Sequence, residues 1–141
     1  MIKYIYILKF VSNDNPNEPW SDNIIAFLEF ENASLYKKEL EYRSKELSEK
    51  IKIIRDELGV IIHELNIKWV SKHEDKEKKG YMKKYQKHYL PLGKYNIEYQ
   101  NKKRKLIEEW QEENNSEYWI DYRDSSEYHR DKFEIEKLCL K

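Results

Sequence analysis

The sequence predicts an α+β fold: an N-terminal antiparallel β-hairpin packed on a long helix, followed by a mainly helical C-terminal half. Three observations predict it. Residues 2–11 alternate β-branched and aromatic side chains with Lys3 and Lys9, the period-two pattern of a half-buried strand. Residues 33–58 set Tyr36, Leu40, Leu47, Ile51, Ile54 and Leu58 on one helical face. Tyr81–Tyr89 and Lys94–Glu113 read as helices, separated by Pro91 and Gly93. With 141 residues and 17.5 kDa, the expectation is a single domain over 1–141.

Taken in order, the strand at 2–11 is followed by Ser12–Asp22, where Pro16, Pro19 and a run of Asn and Asp read as turn chemistry. Asn23–Phe30 reads as the second strand of the hairpin. Asn32 is the expected N-cap of the long helix, because its side-chain oxygen suits the first free N–H groups. Pairs such as Glu41–Lys45 and Glu46–Lys50 support the wet face of that helix at i,i+4.

Gly59 divides two readings. Leu58-Gly59-Val60 fits a helix stop followed by a third strand over 60–70, and its β-branched content favours that reading. The rival is one continuous helix, because Leu40, Ser44, Leu47, Ile51, Ile54, Leu58, Ile61 and Leu65 keep a four-three spacing. An interior Gly costs only about 1 kcal/mol against it. A continuous helix would favour a homodimer.

Beyond a charged connector at 71–80, Tyr81–Tyr89 reads as a short helix and Lys94–Glu113 as a longer one. Ser116–Arg123 alternates Tyr118, Ile120 and Tyr122 with charged residues, a candidate strand. Asp124-Ser125-Ser126-Glu127 resembles a capping box for a last helix reaching about Leu138.

Composition bounds the function classes. The 27 basic and 27 acidic side chains cancel, 14% of residues are aromatic and mean hydropathy is −1.04. No run of about 18 apolar residues exists, so no spanning helix and no membrane partner are expected. The N-terminus is too short and too interrupted by Lys and Tyr to read as a signal peptide. A single Cys139 makes no internal disulfide and fits a reducing, cytoplasmic setting. Three glycines are too few for a phosphate-cradling loop, and no cofactor is expected. The AT-rich codons of Lys, Ile, Asn and Tyr associate the chain with a phage or mobile-element source.

No catalytic constellation emerges. His63, His73, His88 and His129 lack zinc-site spacing, no metal site is expected, and no nucleophile elbow is present. The alternatives are a metal-dependent nuclease built on His73-Glu74-Asp75-Lys76 and a site at Asp121, Asp124 and His129. Both place carboxylates on segments without a rigid frame.

Binding residues stand out instead. Residues 72–105 hold 12 basic and 4 acidic side chains, whereas 106–141 hold 5 and 11. Within the basic segment Lys83, Lys84, Lys87, Lys102, Lys103 and Arg104 interleave with Tyr85, Tyr89, Tyr95 and Tyr99. Lysines neutralise phosphates and aromatic faces stack bases, so the segment is a candidate nucleic-acid surface. It is equally a candidate for an acidic protein partner or for pairing with the acidic C-terminal third. A second cluster, Tyr118, Trp119, Tyr122 and Tyr128, has the residue types of protein interfaces. The expectation is a small non-enzymatic binding protein, an inhibitor or accessory factor. Its expected partner is a protein or protein–nucleic acid complex, with nucleic acid alone as the alternative.

Overall fold

A computed structural model describes residues 3–12, 18–72, 80–123 and 131–140. The elements in chain order are β1 (Lys3–Ser12), β2 (Trp20–Phe27), α1 (Phe30–Lys72), α2 (Tyr81–Tyr89), α3 (Pro91–Asn114) and β3 (Asp131–Leu140). The fold is α+β, as expected. The chain divides into two compact units, one of Met1–Glu49 with Glu109–Lys141 and the other of Lys50–Glu108.

In the first unit the three strands form an antiparallel sheet in the order β2-β1-β3. Alternation decides which side chains go inward: Leu8, Phe10 and Ser12 of β1 are buried together with Phe133 of β3. Phe10 and Phe133 are register partners and meet edge to face at 5.8 Å. Tyr6 packs edge-on against Phe30, and Phe27 against Tyr36, both at 5.6 Å, which seats the start of α1 on this sheet face. A register shift between Leu8 and Lys9 marks a bulge in the hairpin.

Two strand expectations need correction here. The second strand begins at Trp20 rather than Asn23, because Phe10, Val11 and Ser12 of β1 pair with Asp22, Ser21 and Trp20. Ladder pairing outweighs the turn chemistry of Ser-Asp-Asn. The third strand of the sheet is β3, over residues expected to close a last helix. Phe133 and Ile135 alternate with Lys132, Glu134 and Glu136, and a free edge of β1 rewards that period of two. Residues 124–130, where that helix was expected to start, lie outside the described residues.

Ser116–Arg123 is not a strand of the sheet. Its backbone bonds instead to serine hydroxyls on α1: Ile120 N donates to Ser44 Oγ at 3.2 Å, and Tyr122 N donates to Ser48 Oγ at 2.9 Å. Ser48 Oγ in turn shares its one proton between the carbonyls of Ser44 (2.8 Å) and Ile120 (3.2 Å). Ser44 and Ser48 are both buried, and their small side chains let the segment run close to the helix. Just before it, α3 ends with Ser116 N bonding Gln111 O and Asn115 N bonding Glu112 O, with Asn115 left-handed at φ 47°. That is the bond pattern of a glycine C-cap, carried here by Asn.

In the second unit the expectation of a strand at 60–70 fails. Helix α1 runs unbroken through Gly59 to Lys72. Ile54, Leu58 and Ile61 of α1 line a cleft with Tyr95 and Tyr99 of α3, and one helical face further along carries the buried Trp69. Burying that face outweighs both the β-branched preference and the cost of one exposed glycine. A Cβ at Gly59 would touch nothing within 4 Å among the described residues, so no packing among them requires glycine there. Asn32 is not the N-cap, because α1 begins at Phe30; its amide donates to Glu29 at 3.4 Å.

Candidate functional site

The basic, tyrosine-rich segment lies on α2 and α3 of the Lys50–Glu108 unit, and the fold sorts its residues by chemistry. Gly80 opens α2 in the left-handed conformation at φ 83°, which a side chain would disfavour. Tyr81, Tyr85, His88 and Tyr89 then fall at three- and four-residue spacing and face α1. All four surround Trp69, with ring centroids 5.2, 5.3, 5.4 and 6.0 Å away in that order. The indole N–H of Trp69 donates to the Tyr81 hydroxyl at 3.3 Å. Tyr89 donates to Asn66 Oδ1 at 2.8 Å, and His88 Nε2–H donates to the Leu65 carbonyl at 2.7 Å. Burial raises the Tyr89 phenol above its ordinary pKa, with Tyr85 and Tyr81 adding to the shift.

The lysines go the other way. Lys83, Lys84 and Lys87 are exposed on α2, next to exposed Met82 and Leu90. On α3, Tyr95 and Tyr99 are half-buried and line the cleft with Lys102, while Lys103 is half-buried. Arg104 is exposed and pairs with Glu108 at 3.9 Å. Among the described residues of this unit, Lys83, Lys84, Lys87, Lys94, Lys102, Lys103 and Lys105 form no ion pair. Of the four expected stacking tyrosines, only Tyr85 keeps much open surface, at 41%. The residue that organises the site, Trp69, was absent from the sequence-based set. Its spacing of four and eight from Leu65 and Ile61 on the continuous-helix pattern was the signal for it.

The second expected cluster belongs to the other unit. Tyr118, Trp119 and Tyr122 are half-buried, and Tyr128 lies outside the described residues. Tyr118 stacks on Phe10 at 4.8 Å and tilts against Trp20 at 6.4 Å. Its hydroxyl donates a short hydrogen bond to Asp22, which pushes the phenol up to about 12, with burial and the charges of Asp22 and Glu117 adding to it. Tyr122 lies under the Lys45 ammonium at 5.2 Å. Tyr118 thus covers the sheet and Tyr122 lies against α1, so both rings pack within their own unit.

The Tyr118 bond has a pH consequence. A phenol held above its unfolded value adds stability that is complete below about pH 10 and is lost as pH rises through the folded value. A spectrophotometric titration should show one tyrosine ionising near 12, and Tyr118→Phe should remove that phase. A variant that keeps it would place the shift elsewhere.

Among the described residues no group of three or more His, Cys, Asp or Glu could hold a metal ion. His73–Lys76, Asp124 and His129 lie outside the described residues. Among the described residues no helix is long and apolar enough to cross a membrane. No protein-family model matches the chain, and no curated protein or solved structure is similar to it.

Proposed function

We propose that this is a non-catalytic, cytoplasmic binding protein that occupies an acidic surface of another protein, in the manner of a small inhibitor or accessory factor. The observation that supports this is the sorting on α2. Tyr81 and Tyr89 are half-buried against Trp69, and Tyr85 packs on it while staying 41% exposed. Lys83, Lys84 and Lys87, by contrast, are exposed and form no ion pair among the described residues, beside exposed Met82 and Leu90. Long-range attraction from unpaired lysines speeds encounter, and an adjacent apolar edge supplies contact area. Single-stranded nucleic acid is the second reading, favoured by Tyr85, which stays 41% exposed on the same helix as Lys83, Lys84 and Lys87.

A charge-reversed variant, Lys83→Glu with Lys84→Glu and Lys87→Glu, separates the readings. Pull-down from the source cell should retain the partner after nuclease treatment, and the variant should associate with the purified partner about tenfold more slowly or worse at low salt. Its thermal stability should stay within about 0.5 kcal/mol of the parent, since these are surface positions. Capture that vanishes with nuclease, joined to direct binding whose log affinity falls by about 0.7 per contact with log salt, would replace the protein partner by a single strand. A variant that associates as fast as the parent would remove this face from the function altogether.

A further inference from the structure

We propose that the Lys50–Glu108 unit binds a second copy of this chain head to tail, the outer face of α1 on one protomer seating on the outer face of α3 on the next. This uses neither the α2 lysines nor the partner proposed above, and it stands apart from that reading.

Both helices are two-faced. Helix α1 turns Ile54, Leu58 and Ile61 toward α3, yet Ile53, Val60 and Ile67 are 60%, 57% and 56% exposed. Seven-residue spacing keeps these three on one line along the opposite side of the helix. The four positions one turn from Val60 are Asp56, Glu57, His63 and Glu64, of which Glu57 also reaches the cleft, and Glu49 and Lys50 lie one turn from Ile53, so the border of the stripe is acidic on balance. Lys52, Arg55 and Lys68 lie farther round the helix at about 100° per residue.

Helix α3 repeats the plan with the opposite sign. Tyr95 and Tyr99 face the cleft, while Ile97 on the far side is 64% exposed. One turn from Ile97 stand Gly93, Lys94, Gln100 and Asn101, and the next turn brings Arg104 and Lys105. The Arg104–Glu108 pair is long and exposed, so it holds Arg104 only weakly.

Charge selects the pairing. Two α1 stripes meeting antiparallel would bring Glu57 against Glu64 of the other copy, and meeting parallel would bring Asp56 against Glu57. Acidic α1 against basic α3 avoids both clashes. Such a contact is heterologous, so it leaves one free face at each end and continues into rings or open chains. Few apolar side chains take part, far from the roughly 800 Å² per partner of a stable interface, so association is weak and sensitive to salt.

Sedimentation velocity of the full chain across a concentration series, at about 50 mM and about 500 mM salt, tests this. The expected result is an average mass that rises with concentration at low salt, with an association constant at least tenfold lower at high salt. Val60→Glu and Ile97→Glu change exposed side chains and should each leave helix content intact and the protein monomeric. Mixed together they should form a capped dimer, because each retains the face the other lacks. The Lys83, Lys84 and Lys87 reversal should still associate. A parent that stays monomeric throughout overturns the proposal, as does association untouched by either substitution. A mixture that stays monomeric while the parent associates would mean a two-fold symmetric contact and would also overturn it. Should either Glu variant lose helix content, Val60→Gln and Ile97→Gln replace the pair with the same expected outcomes.

Discussion

Trp69→Ala is expected to destabilise the Lys50–Glu108 unit by about 3–5 kcal/mol, the usual cost of deleting a buried aromatic. The indole is buried and central to four rings, so its loss removes the surface on which Tyr81, Tyr85, His88 and Tyr89 rest. Helix α2 has nine residues and no buried side chain of its own. A helix that short is not stable in water without tertiary contacts. Hydrogen exchange should therefore show α2 amides losing protection while those of β1 keep theirs, a local rather than global opening. Trp69→Phe keeps a ring but loses the bond to Tyr81, and should cost clearly less. Equal protection of α2 in the parent and the Ala variant would show that the cluster does not hold the helix.

Ser48→Val should cost about 2–4 kcal/mol in urea denaturation, through hydrogen bonding rather than volume. One buried hydroxyl accepts from Tyr122 N and donates toward the Ile120 and Ser44 carbonyls. The Ser44 carbonyl also has its place in the helix ladder, whereas Ile120 O, which is buried, and Tyr122 N, which is part-buried, both bond to the serine. Each buried backbone group left without a partner costs about 1–3 kcal/mol. Ser71→Val is the control: Ser71 is exposed and, among the described residues, bonds its own helix at 3.0 Å, so a change within about 0.5 kcal/mol is expected. If both substitutions cost the same, the serine contacts do not anchor the segment.

These two sites mark where the sequence was and was not legible. Strand β1 was plain, because residues 2–11 are rich in β-branched and aromatic side chains. The body of α1 was equally plain from Leu40, Leu47 and Ile51. The extension of α1 past Gly59 was not, because Val60–Val70 satisfies both a strand period and a helix period. What decides between them is the burial of Trp69 against α2, a contact with residues distant in sequence. Likewise 131–138 carried a strand alternation, but the apparent capping box upstream made helix the more economical reading. Ser44 was counted within the four-three pattern of the helix, and only the backbone laid across Ser44 and Ser48 shows why both are small and polar. In the candidate site, the directions of the aromatic side chains were not legible. Tyr89, Tyr95 and Tyr99 turn inward because α2 and α3 have few aliphatic side chains with which to build a core, so the aromatics expected to face a ligand are used in packing.

The order β2-β1-β3 also governs how the sheet is assembled. The β1–β2 seam joins neighbours in sequence and closes as a hairpin on the microsecond scale. The β1–β3 seam pairs Lys3 with Leu140 and Ser12 with Asp131, so every other element lies inside the loop it closes. Closure entropy grows only with the logarithm of loop length, so this seam adds little more to the equilibrium cost than a far shorter loop would. Its burden is kinetic, since non-local strand pairing slows folding. Until β3 arrives, the central strand is itself an edge, with Phe10 covered on one side only. The interval before that seam closes is when the chain is most open to pairing with strands of other molecules.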